Sequence, residues 1–205
     1  MLDRNLLELH HRALQPLASR MVAAGVKADA VTVVGFCIGI ASCALIAREH
    51  YVAALVFFLL NRLFDGLDGA VARQTRSTDR GAFLDISFDF LIYGLFPLAF
   101  AVARPGANAL AASFLLASFM GTASSFLAFA VIAAKRGIVA SDFPRKGIYY
   151  LGGLTEGTET IFAFGLMCVW PDWFPAIAMT FSVLALLTTV MRWTWGWRAF
   201  SEQLS

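Results

Sequence analysis

Residues Asp65 to Asp89 read D-G-L-D-G-A-V-A-R-Q-T-R-S-T-D-R-G-A-F-L-D-I-S-F-D, in a chain of 205 residues that is 59% hydrophobic. Four carboxylates of this stretch, Asp65, Asp68, Asp85 and Asp89, fall where the neighbouring sequence is apolar. An acid at membrane depth costs on the order of 2.5–3.5 kcal/mol even on a lenient insertion scale. Four together require compensating positive charge, and a bound metal is the natural source.

The spacing sharpens this. Asp65 and Asp68 are three apart, and Asp85 and Asp89 are four apart. On helices each pair shares a face. A turn around Arg76 brings the two faces together. Carboxylates without His or Cys suit hard oxygen-seeking cations such as Mg²⁺ or Mn²⁺.

The pattern D-x-x-D-G-x-x-A-R, a seven-residue spacer and G-x-x-x-D-x-x-x-D is filled by Asp65, Asp68, Gly69, Ala72, Arg73, Gly81, Asp85 and Asp89. It resembles the signature of the CDP-alcohol phosphotransferases. The resemblance implies that Asp65, Asp68 and Asp85 ligate two divalent cations. It implies that Asp89 is the general base and a further ligand. It also implies nucleotide contacts from Thr78 and from Asp29 and Thr32, which fit a recurring [Asp/Asn]-x-x-Thr. Asp29 and Thr32 serve equally well as the cap and start of the first membrane helix. Gly69, without a side chain, lets a nucleotide approach its helix closely. Arg73 offers a planar donor fork to phosphate or base.

Composition sets the class. Mean hydropathy is +0.71, and a soluble domain of this size is nearer half apolar. An all-α integral membrane protein is expected. Cys37, Cys43 and Cys168 lie scattered in apolar runs without metal-ligand spacing, and no disulfide is expected. Residues 1–29 carry Asp3, Arg4, Glu8, His10, His11 and Arg12, unlike a signal peptide. There Leu2, Leu6, Leu9, Ala13, Leu17 and Met21 recur as one helical stripe. This predicts an amphipathic juxtamembrane helix lying on the bilayer, kinked or split at Pro16.

About 20 residues cross a bilayer. Residues 30–198 are expected to form a six-helix transmembrane catalytic domain, with spans at Ala30–Ala47, Tyr51–Ala72, Ala82–Ala103, Ala107–Ala134, Ile148–Trp170 and Trp173–Met191. Under that count thirteen basic residues, from Arg4 to Arg198, fall on one side. Only Arg48 and Arg104 fall on the other. The positive-inside rule places both termini in the cytoplasm. Both acid pairs then lie roughly 6–12 Å inside helix ends on the cytoplasmic side. Charge at that depth survives in a water-filled cavity or buried in protein. A polar cavity open to the cytoplasm follows.

Glu156 and Glu159, in L-T-E-G-T-E-T, share a face of the fifth span, and Arg62 sits at mid-depth in the second. One Glu pairs with Arg62, or one lines the acceptor pocket. Lys135, Arg136, Arg145 and Lys146 form a basic loop. Its charge reflects topology and anionic lipid heads, or it receives an acceptor's phosphate. Gly121, Ala123, Ser124 and Ser125 form a close-packing patch, and Trp193, Trp195 and Trp197 suit an interfacial belt.

The resemblance implies a multi-pass transferase of the cytoplasmic membrane acting in phospholipid biosynthesis. It binds a CDP-alcohol, expected to be CDP-diacylglycerol, and passes a substituted phosphate to an acceptor alcohol with release of CMP. A homodimer is implied, and no nucleic-acid partner. Two alternatives stand beside it. One is a small ion or proton transporter, since intramembrane acids also mark transport paths. The other is an inactive homologue, against which the intact motif speaks.

Overall fold

The computed structural model describes residues 14–137 and 153–201. Helical residues 14–23 form α1. There follow α2 (Ala28–Ala47), α3 (Tyr51–Gln74), α4 (Asp79–Ala103), α5 (Pro105–Lys135), α6 (Gly157–Val169), a 3₁₀ turn (Pro171–Trp173) and α7 (Phe174–Ser201). The all-α class is as expected. The chain divides at Pro105/Gly106 into two compact units.

Four helical stretches among the described residues are long and apolar enough to cross a membrane: Ala28–Ala47, Asp79–Ala103, Pro105–Lys135 and Pro171–Ser201. The other two expected spans map onto α3 and α6. At 24 residues α3 has the length, but Arg62, Asp65, Asp68 and Arg73 make its second half polar. The 13 residues of α6 reach about 20 Å, short of the roughly 30 Å hydrocarbon core.

In the first unit α2 packs along both α3 and α4. The contact is close because of Gly35 and Gly39, four residues apart on one face of α2. A Cβ at Gly35 would lie 2.9 Å from Cβ of Phe64, and one at Gly39 would lie 2.7 Å from Cδ1 of Ile92. This is the small-xxx-small packing of membrane helices. Beyond it Phe58, Phe96 and Phe100 are fully buried, with ring centroids 5.0 Å apart for Phe58–Phe96 and 5.8 Å for Phe96–Phe100. The Ser42 hydroxyl donates to the Ala54 carbonyl at 2.8 Å, so α2 and α3 are also joined through a buried polar contact.

The described part of the amphipathic segment packs on protein. Leu14 and Ala18 are buried against Val31, Leu67, Ala70 and Val71, with Met21 and Val22 beside them. Leu17, placed on the apolar stripe by the sequence, is 43% exposed. The face packed on protein, Leu14 and Ala18, lies beside the stripe expected on the bilayer. Residues 14–23 are helical across Pro16; the segment before it lies outside the described residues.

In the second unit Phe119 meets Phe164 and Phe181 edge-on, at 6.0 and 6.2 Å. The start of α6 corrects the reading of its acids. Glu156 is the N-cap and Glu159 is N3 of a reciprocal capping box. The Glu156 amide donates to Oε2 of Glu159 at 3.0 Å, and Oε1 of Glu156 accepts from the Gly153 amide at 3.0 Å. The two acids satisfy open amides at a helix start; they do not lie midway along a span. No disulfide joins Cys37, Cys43 and Cys168.

The glycine contact yields a stability prediction. Gly39→Val drives two methyl groups into Ile92 and Asn61, and overpacking of this kind costs about 1–3 kcal/mol. Thermal unfolding of the purified protein in detergent should shift downward, whereas Gly106→Ala, where an added Cβ meets nothing within 4 Å, should leave it unchanged.

Candidate active site

The polar half of α3 and the first half of α4 bring the four aspartates together. Oxygen atoms of Asp65, Asp85 and Asp89 all lie within 4.8 Å of one another. Asp68 sits beside them, only 6% exposed. Two cavities meet at this cluster. The larger, about 140 Å³, is lined by Asp29, Thr32, Asp68, Gly69, Arg76, Thr78, Gly81 and Asp85, among others. The smaller, about 10 Å³, is lined by all four aspartates together with Thr32, Asn61 and Phe88, among others. That is close to the space one water-sized species needs. Thr32, Asp68 and Asp85 line both cavities, so they form the wall between them.

Oδ2 of Asp68 is buried and has no hydrogen-bond partner among the described residues. Leaving such an oxygen unsatisfied costs about 1–3 kcal/mol, and more when it is charged. An all-oxygen donor set, a cavity of ionic size and an orphaned carboxylate oxygen fit a hard divalent cation.

One cation is already built in. Arg62, its side chain 9% exposed, donates from Nη2 to Oδ1 of Asp89 at 2.8 Å. Its Nη1 lies 3.8 Å from Oδ2 of Asp65 and 3.3 Å from the Tyr93 hydroxyl. Its Nε and Nη2 both donate to Oδ1 of Asn61, at 2.9 and 2.7 Å. The ion-pair partners of Arg62 are thus Asp89 and Asp65 rather than Glu156 or Glu159. From sequence spacing alone the partners were open, because Arg62 is three residues from Asp65 and the position of α4 beside it is a tertiary fact.

The mouth of the larger cavity is formed by two helix starts. Thr78 is the N-cap of α4, its hydroxyl accepting from the Gly81 amide at 3.0 Å. A Cβ at Gly81 would lie 3.1 Å from Oδ1 of Asp29 and 3.2 Å from Oγ1 of Thr78, so glycine keeps this edge open. Neither Asp29 nor Thr32 caps α2. The N-cap is Lys27, Asp29 ion-pairs with Arg80, and Thr32 donates back to the Ala28 carbonyl at 3.1 Å. Arg73 does not line either cavity; its Nη1 lies 3.2 Å from where a Gly69 Cβ would be. Arg76, read from sequence only as part of a turn, lines the larger cavity instead.

The expected acceptor residues lie in the second unit. Lys135 ends α5. Arg136 donates to the Phe200 carbonyl at 3.0 Å and lies over the Phe200 ring at 5.1 Å. Arg145 and Lys146 lie outside the described residues.

Comparison with known proteins identifies the family and a shared fold. A family model described as CDP-alcohol phosphatidyltransferase matches residues 26–195. Inner membrane protein YnjF of Escherichia coli K12 is 50% identical over 196 residues, covering 94% of this chain and 93% of YnjF. The fold is similar to that of Mycobacterium tuberculosis phosphatidylinositol phosphate synthase (PgsA1) with CDP-DAG bound. There the TM-score is 0.65 at 23% identity, over 91% of this chain and 94% of that one. The same synthase in complex with manganese and citrate gives 0.63 at 22% identity, over 90% and 88%.

Proposed function

The chain belongs to the CDP-alcohol phosphatidyltransferase family, and from that premise we propose that it transfers a phosphatidyl group from CDP-diacylglycerol to an acceptor alcohol, releasing CMP. It is a multi-pass membrane transferase. The observation that carries the reading is the convergence of Asp65, Asp68, Asp85 and Asp89 on one small cavity, with the orphaned Oδ2 of Asp68 among them. The donor is chosen because a protein of the same fold has CDP-DAG bound.

The four aspartates would hold two divalent cations, Mg²⁺ or Mn²⁺. Such ions neutralise the donor's phosphates and stabilise charge developing on the attacking and leaving oxygens. Thr32, Asp29, Gly69, Thr78 and Gly81 shape the cavity for the nucleotide, and Arg76 and Arg73 supply donors to its phosphates or base. Asp89 accepts the proton of the acceptor hydroxyl. Arg62 engages its Oδ1, which leaves Oδ2 for that proton. The acceptor oxygen then bonds to the β-phosphorus, the bond from that phosphorus to the bridging oxygen breaks, and CMP departs with the bridging oxygen. An ion path would need polar groups continuing beyond Tyr93; there Phe58, Phe96 and Phe100 fill the interior.

The metal assignment is tested by CMP release from CDP-diacylglycerol. Asp65→Asn, Asp68→Asn and Asp85→Asn should each lower it by more than about 100-fold, since even changes outside a metal's own ligands cost 10–100-fold. Each variant should remain folded in the membrane. EDTA should silence the parent; full activity in excess chelator would falsify the metal role.

The six-span arrangement with cytoplasmic termini and a site facing the cytoplasm rests on the thirteen-to-two distribution of basic residues. In a cysteine-free background, single cysteines near Arg48, Arg104 and Asp172 should react with impermeant reagent from outside. Those near Arg76 and Lys135 should not. Labelling near Arg76 from outside reverses the arrangement.

We assign the acceptor a phosphate or polyol, met by the cations Lys135 and Arg136 at the end of α5; Glu156 and Glu159 are the competing wall. Lys135→Glu should raise the acceptor KM more than about tenfold, the cost of one lost charge-assisted contact. Glu156→Gln should change it little. The reverse ranking points to a neutral or cationic alcohol.

A further inference from the structure

The smaller of the two cavities has a polar side and an apolar side. Four aspartates make the first, and Phe36, Phe88 and Ile92 make the second. One face of α4 contributes to both, because Asp85, Phe88, Asp89 and Ile92 recur at helical spacing. Phe36 comes from α2, beside Gly35, and the close approach of α2 at Gly35 and Gly39 brings its ring onto that of Phe88. The two centroids are 4.1 Å apart and the ring planes are inclined by 17°. Both phenylalanines line the cavity and are only half-buried, so the stack stands between the acids and the outside of the first unit.

Acids do not call for such a neighbour. Stacked rings give a carboxylate neither a hydrogen-bond donor nor a positive charge; what they supply is bulk. With the rings in place the space among the acids is about 10 Å³, enough for one water-sized species, and a bound cation would fill it. We propose that the Phe36–Phe88 stack decides between transfer and hydrolysis: it denies water a place beside the reacting phosphorus, so that the donor's phosphate passes to an alcohol. The proposal rests on the transferase reading given above. Water outnumbers any dissolved alcohol and can react by the same route. Its oxygen would bond to the β-phosphorus, the bond from that phosphorus to the bridging oxygen would break, Asp89 would take a proton, and CMP and phosphatidate would leave. An acceptor alcohol is carried to the phosphorus by contacts to the rest of its molecule. A water needs only space with polar partners, and the acids provide the partners. Space is the quantity left to control, and the rings take it; keeping water from a reacting centre is a general means of preventing hydrolysis.

The test asks for a gain of activity, which damage to the fold does not produce. The full chain is purified in a detergent free of hydroxyl groups and given CDP-diacylglycerol and Mn²⁺ without any acceptor. Phosphatidate is then measured. Phe36→Ala and Phe88→Ala each open room for more than one water, and each should raise phosphatidate formation about tenfold or more over the parent. Phe88→Met, which conserves volume, should stay within about twofold. Water access is read independently of turnover from water-proton relaxation of the Mn²⁺-loaded protein without substrate. It should rise about 1.5-fold or more in the alanine variants, as one further exchanging water predicts. If an alanine variant does not fold, Phe36→Val opens part of the same space, and its phosphatidate output should still rise about threefold. Phosphatidate formation at or below the parent's in the folded variants, or unchanged relaxation, overturns the proposal. A parent that releases no CMP with glycerol, glycerol phosphate or inositol as the alcohol overturns instead the transferase reading beneath it.

Discussion

Carboxylates gathered inside an apolar helical protein repel one another and lose their hydration, and the first unit is organised around containing that cost. Among the described residues, the cation ion-paired with the cluster is the guanidinium of Arg62. Its placement depends on Asn61, and Asn61 depends on reaching the Gly35 carbonyl of the neighbouring helix. That reach exists only because α2 approaches without side chains at Gly35 and Gly39. The closest helix packing in the unit and the electrostatics of its site are therefore one arrangement. A larger residue at either glycine would move the carbonyl that anchors the amide that anchors the arginine.

The polar interior ends abruptly on both sides. Below Arg62 the rings of Phe58, Phe96 and Phe100 close it, which makes the cluster the floor of a cavity and not a station on a path across the membrane. Above, the starts of α2 and α4 form a mouth from small and polar residues, with Gly81 between Asp29 and Thr78. Helix starts leave amides without intrahelical partners. Thr78 satisfies one of them at Gly81, so the residue that opens α4 also shapes the opening of the cavity. Asp68 and Asp85, common to both cavities, form part of the wall between them.

The acids of the site were legible because their spacing follows helix geometry, and two antiparallel helices with a short turn leave few ways to arrange them. Helix positions were legible from long uncharged runs such as Ala107–Ala134, which α5 contains. What was not legible depended on contacts between helices. The buried face of α1 is set by what it packs on, so Leu14 and Ala18 are covered and Leu17 is not. Glu156 and Glu159 looked intramembrane because their flanks are apolar, yet the S/T-x-x-E-like logic of a capping box was present with Glu156 at the cap itself. The Gly35–Gly39 pair was readable as a packing motif in principle; its partner helix was not. Arg76 and Arg73 both follow the acids, and only the turn of the chain after Gln74 decides which one faces the cavity.

Charge balance then orders events at the site. With all four aspartates ionised, as metal ligands would be, one guanidinium would leave three formal negative charges around the two cavities. An anionic donor is repelled from such a surface, and the repulsion grows as water is excluded. Two divalent cations would reverse the sign, leaving one formal positive charge. Under the proposed function, affinity for an anionic donor would then depend on the metals. Arg62 matters to this balance by its single charge. Without it the loaded site would be neutral, and the phosphates would be held by contacts alone; with a second arginine at that depth, the acids would keep only two formal negative charges to attract the cations.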